Sequence, residues 1–95
     1  MMKSRTIVRR RIGSSPVSFP TPLVPLELLT AGEHGRINEL DGSPEFVHRL
    51  EEMGLRVGAL VCMVQPGSPC ILAVGHQRFS LRIDESAIVL VEVIR

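Results

Sequence analysis

Apolar and polar residues alternate along most of this chain, but the period changes once. From Ser43 to Gly54 the apolar positions Phe46, Leu50 and Met53 fall at i, i+4 and i+7, the spacing of one helix face. His48, Arg49, Glu51 and Glu52 take the opposite side. Ser43 is placed to cap the first turn, Pro44 suits the first helical position, and Gly54 stands where helices commonly leave through a left-handed residue. Leu55 is then expected to fold back on the helix end. Gly58 opens a strand from Ala59 to Gln65, with Val61 and Met63 inward. So short a helix needs a sheet to dock on.

The period elsewhere is two. Arg36 to Leu40 reads as a strand with Ile37 inward. It is preceded by the glycine-bearing turn Thr30 to Gly35 and followed by Asp41-Gly42, a turn signal. Pro66 to Pro69 reads as a hairpin loop, Cys70 to Val74 as the return strand, and Gly75-His76 as a turn. Gln77 to Ile83 points Phe79, Leu81 and Ile83 inward. Asp84 to Ser86 reads as one helical turn, and Ile88 to Ile94 as the closing strand. Leu26 and Leu29 anchor the start of the domain. About five short strands and one short helix predict a mainly β fold, a small barrel whose closure hides its edges.

Composition divides the chain in two. Residues 1–25 hold Lys3, Arg5, Arg9, Arg10 and Arg11 and four prolines, whereas the first acid is Glu27. Residues 1–25 therefore read as a flexible or loosely packed basic extension, within which Thr6 to Ile12 could form an edge strand, and residues 26–95 read as the barrel domain. The extension could serve nucleic acid, anionic lipid or an acidic partner, or simply be solvated. Aromatic residues make up only 3% of the chain, with no Trp or Tyr, which argues against a base-stacking surface and hence against nucleic acid. Two cysteines and no 7–15-residue apolar stretch near the start fit a cytoplasmic setting. An Arg- and Ser-rich transit segment is the alternative.

The candidate chemistry is sparse. The metal candidates are Cys62, Cys70 and His76, with His34, Asp41 and His48 elsewhere and no CxxC or HxxxH among them. If Gln65 pairs with Cys70, Cys62 falls opposite residue 73. Alternation puts Cys70 inside and Cys62 outside, so a shared metal or a disulfide is not expected. No phosphate loop or nucleophile–base arrangement points to an enzyme. Binding is the class that survives. Leu60 and Cys62 face outward on the long strand, and Arg49, Arg56 and Arg82 could steer an acidic partner. The extension or the exposed strand could also support self-association.

From Leu26 to Val93 the chain carries L26-x-x-L29-x-x-G32-x-x-G35-x-I37, then R49-L50-x-x-M53-G54-L55-x-x-G58-x-x-V61, then P66-G67-x-P69, then F79-S80-L81-R82 and A87-I88-x-x-V91. Leu50, Met53, Gly54, Leu55, Gly58 and Leu81 form the most specific part. This pattern resembles the FeoA family, small cytoplasmic accessory proteins of bacterial ferrous iron transport with an SH3-like barrel. It is also similar to the C-terminal domain of iron-dependent repressors. The resemblance implies a non-catalytic regulator that contacts the cytoplasmic GTPase region of a membrane ferrous iron permease. It requires no cofactor and leaves room for weakly bound Fe²⁺ or another divalent transition metal. The alternative it implies is a metal-sensing module that reports Fe²⁺ to another partner.

Overall fold

A computed structural model describes residues 6–11 and 23–94. Seven antiparallel strands form one sheet: β1 (Val8–Arg11), β2 (Leu23–Pro25), β3 (His34–Gly42), β4 (Leu60–Gln65), β5 (Cys70–Val74), β6 (Gln77–Leu81) and β7 (Ile88–Ile94). One helix, α1 (Pro44–Glu52), follows β3, and a single 3₁₀ turn, Leu26–Leu28, follows β2. The strand order is β2-β7-β3-β4-β5-β6, with β1 paired to β3 beside this path. The five strands expected from the alternation are β3 to β7. The edge strand expected near residues 6–12 is β1. The three-residue β2, stopped by Pro25, is too short to show a period. Apart from Thr6 and Ile7, the rest of residues 1–25 lies outside the described residues.

β3 is the strand to which the others refer. β7 pairs along one side of it, from His34 to Asp41. On the other side β4 pairs with residues 34–36 and β1 with residues 39–42. Strict alternation after Ile37 would turn Glu39 inward. Instead the register shifts between Ile37 and Glu39, a bulge that changes the phase, and Leu40 becomes the buried residue.

The expected turn at Thr30 ends early, closed by the Glu33 N–H on the Thr30 carbonyl at 3.0 Å with Gly32 at φ +88°, and the turn expected at Asp41-Gly42 is absent. Gly35 and Gly42 lie within β3. A Cβ on Gly35 would sit 3.0 Å from the Val91 Cβ, and one on Gly42 would sit 3.1 Å from the Ala87 Cβ. These glycines permit close approach rather than reversal of the chain. Similarly, Asp84 to Ser86 forms a hydrogen-bonded turn closed by the Ala87 N–H on the Asp84 carbonyl, not a helical element.

The helix forms as its sequence predicts. The Ser43 hydroxyl accepts a hydrogen bond from the Phe46 N–H at 3.2 Å. At the other end Leu55 N–H donates to the Leu50 carbonyl at 2.9 Å and Gly54 N–H to the Glu51 carbonyl at 3.0 Å. Gly54 has φ +91°. This double bond with a left-handed residue is the Schellman arrangement, and it seats both Leu50 and Leu55 in the core. Phe46, Val47 and Leu50 are buried, while Met53 at the cap is half-buried. The stripe is wider than the single row of i, i+4, i+7 positions. The core is aliphatic, built from Leu26, Leu29, Ile37, Leu40, Met63 and Leu72 among others, and no charged or polar side chain is buried among the described residues.

Candidate functional site: the outer sheet face and its β6 edge

The outer face of the sheet is fixed by the burial of its inner one. On β4, Val61 and Met63 are buried, so Leu60, Cys62 and Val64 point out. Cross-strand pairing extends this face sideways. Ile94, His34, Cys62, Ala73 and Arg78 form one row across five strands. Leu23, Glu92, Arg36 and Leu60 form the next. Met63 N–H donates to the Glu33 carbonyl and Ile37 N–H to the Ala59 carbonyl, each at 2.9 Å. The pairs His34–Cys62 and Arg36–Leu60 therefore occupy the non-hydrogen-bonded positions, where opposing side chains come closest, with Cα atoms about 4.5 Å apart. Leu60 is 51% exposed, Leu23 44% and Ile94 38%.

The partner-binding candidates fall in three places. Leu60 and Cys62 lie together on the outer face. Arg49 on α1 and Arg82 just past β6 line one open cleft with Ser43, Phe46, Ser68 and Asp84. Arg56 lies beyond the helix end, where its Nε donates to the Glu51 carbonyl at 3.2 Å and counters the negative end of the helix.

The metal candidates do not gather either. Cys70 is buried, with its thiol directed to the Leu81 carbonyl at 3.4 Å. Burial pushes the Cys70 thiol above its ordinary value of 9.0, and the Glu27 carboxylate adds to the rise against an opposing backbone hydrogen bond. A thiol held neutral is a poor ligand. Cys62 is half-buried on the opposite face, and both cysteines are free. Cys62 does face residue 73, but Gln65 pairs with Ile71 rather than Cys70, because the register shifts between Met63 and Gln65. His76 lies in the β5–β6 turn. Among the described residues no group of three or more His, Cys, Asp or Glu side chains is disposed to hold a metal. His34, a candidate read into the preceding turn, instead stands at the start of β3 opposite Cys62. Extending the alternation of Arg36 back by two residues would have placed it.

The edge beyond this face is β6. Gly75 at φ +60° followed by a residue without positive φ fits a two-residue hairpin turn of type II′. That turn makes Val74 and Gln77 a hydrogen-bonded pair, so Gln77, Phe79 and Leu81 direct their backbone groups to β5. The N–H and C=O of Arg78 and Ser80 point away from the sheet, and both residues are exposed.

The FeoA domain matches residues 24–93. The chain belongs to the FeoA family. A crystal structure described as that of Iron Uptake Regulatory Protein (FeoA) matches with a TM-score of 0.70 and 27% identity, covering 77% of this chain and 100% of the other. No curated protein matches. The fold is thus the SH3-like barrel of FeoA proteins, and membership implies a role in ferrous iron transport. In FeoA terms, the two rows above form the outer face of the barrel. No helix among the described residues is long and apolar enough to cross a membrane.

Proposed function

We propose that this FeoA-family chain is a non-catalytic, cytoplasmic accessory protein that acts by contact with the GTPase region of a membrane ferrous iron permease. The observation that supports this reading is the outer face of the barrel. Leu23, Leu60 and Ile94 stand exposed on neighbouring rows, interleaved with Arg36, Glu92 and His34. Exposed apolar side chains ringed by polar ones suit a protein contact better than a solvated wall. The test is to add the purified GTPase region of the permease while following the backbone amide resonances of the chain. Shifts along the outer face, from β7 and β3 through β4 towards β6, are expected, and Leu60→Glu should weaken them without unfolding the barrel. Unmoved resonances at saturating GTPase region would end this reading. Shifts that depend only on the concentration of the chain itself would replace it with self-association.

A second reading, a metal-sensing module, is favoured by the His34–Cys62 pair. An imidazole nitrogen and a cysteine sulfur on adjacent strands are two ligand types suited to a borderline divalent cation such as Fe²⁺. Anaerobic titration with Fe²⁺ should give an affinity tighter than about millimolar that Cys62→Ser and His34→Ala each remove. Absence of heat with the unmodified chain would discard it.

A further inference from the structure

We infer that an extended acidic segment of a partner protein adds to the sheet as a new strand along β6. This deepens the contact reading above, naming the mode of contact and the chemistry of the partner. Three features carry it. First, β6 ends the strand path and, among the described residues, is paired on one side only. The backbone groups of Arg78 and Ser80 face outward, and no hydrogen bond within the described residues uses them. Second, the side chains on the outer side of this edge are Arg78 and Ser80, with Arg82 just beyond. Neither Arg78 nor Arg82 takes part in an ion pair among the described residues. Third, Arg78 belongs to the row that runs through Cys62 and His34, so an added strand would continue the outer face without a break.

Charge chooses the occupant. Two copies of β6 pairing antiparallel about Ser80 would set Arg78 of each against Arg82 of the other. Like charges directly opposite destabilise a sheet, and charged edges keep identical chains apart. A foreign strand with carboxylates at i and i+4 meets no such barrier. At about 3.3 Å per residue its two acids would lie roughly 13 Å apart, matching the spacing of the arginines. A small polar residue suits the position opposite Ser80, and apolar residues at i+1 and i+3 would lie on the side of half-buried Phe79. Backbone hydrogen bonds supply the adhesion in such strand addition, and the side chains supply the choice of partner.

The test uses the full chain with two ligands: the GTPase region of the permease, and a capped peptide Val-Glu-Val-Thr-Val-Glu-Val with a control bearing Lys in place of both Glu. The acidic peptide should bind, slow the hydrogen exchange of the Arg78 and Ser80 amides, and weaken steeply with added salt. The Lys control should not bind. Arg78→Glu combined with Arg82→Glu should cut affinity for both ligands at least tenfold. Ser80→Pro deletes one outward N–H without touching the β5 ladder, and should have a comparable effect. Cooperative melting of Ser80→Pro checks that it folds, and the double charge reversal tests the same point independently. If both variants bind the GTPase region as the parent chain does, strand addition is wrong while the contact reading stands. If the peptide binds β6 but the GTPase region does not bind at all, the contact reading falls and the acidic-strand edge survives with a different partner.

Discussion

β1 and β6 are both arginine-bearing strands paired on one side only among the described residues, yet their arginines are in opposite circumstances. On β1, Arg9 Nε lies 3.0 Å from Asp41 and 3.6 Å from Glu39, and Arg10 Nε lies 3.2 Å from Glu51 on α1. Arg78 on β6 has no such partner among the described residues. The acids that satisfy β1 come from residues thirty or more positions away, brought there by β3 and the helix that follows it. The basic N-terminal cluster and the acidic remainder of the chain are thus partly each other's counter-charges. β1 closes the half of β3 that β4 leaves open, whereas β6 leaves its edge, its backbone donors and its charges facing outward. What distinguishes a sealing strand from a receptive one here is topology, because the residue types are the same.

The largest effects should come from the core that both edges share. Leu40 lies under β1 and Leu72 under β6, and both are fully buried. Leu40→Ala and Leu72→Ala should each cost about 2–5 kcal/mol, read as a lower midpoint in urea. Each should melt in one transition seen equally at both edges. If Leu72→Ala released β6 while β1 stayed protected from hydrogen exchange, the two edges would rest on separate cores and the comparison would need redrawing. Next in size is Gly42→Ala. Its added Cβ would meet the Ala87 Cβ at 3.1 Å and Phe46 Cδ2 at 3.3 Å, an overpacking expected to cost about 1–3 kcal/mol. An unchanged midpoint would show that β3 has room to move under β1.

A smaller effect separates the two sets of arginines directly. The Asp41 side chain is 15% exposed and that of Arg9 55%, so the pair is only partly screened by water. Asp41→Ala should cost about 1 kcal/mol, and a double-mutant cycle with Arg9→Ala should return a coupling of roughly 0.2–1 kcal/mol that shrinks in high salt. Additive costs would mean that β1 is held by its backbone pairing alone.

The parts of this molecule that follow a local rule were legible in its sequence. The helix, its serine cap and its Gly54 exit are set by residues no more than eleven positions apart. The inward and outward assignments of Cys70 and Cys62 followed from alternation alone. What escaped was non-local. Gly35 and Gly42 looked like turn residues because their other use, admitting Val91 and Ala87, involves partners some fifty residues distant. The bulge between Ile37 and Glu39 has no signature in the alternation it interrupts. The pairing of His34 with Cys62 needs the register of two strands, which single-strand periodicity does not supply. The fate of the basic cluster required knowing which strand edge β4 would leave unfilled.

The smallest stability effect is the most telling for β6. Arg78 is exposed and has no ion-pair partner among the described residues, so Arg78→Ala should change stability by no more than about 0.5 kcal/mol. A residue that merely solvated the edge would be silent in binding as well. If β6 receives an acidic strand, the same substitution lowers affinity for that strand several-fold while leaving the melting curve in place. The matching change on β1, Arg9→Ala, should do the reverse, lowering the midpoint and leaving partner affinity alone. Measuring both variants by urea titration and by binding therefore asks one question of two edges. Equal stability losses at Arg9 and Arg78 would show that the β6 arginines are held by the fold after all. Equal losses in binding would show that the partner reads net charge and not a strand edge.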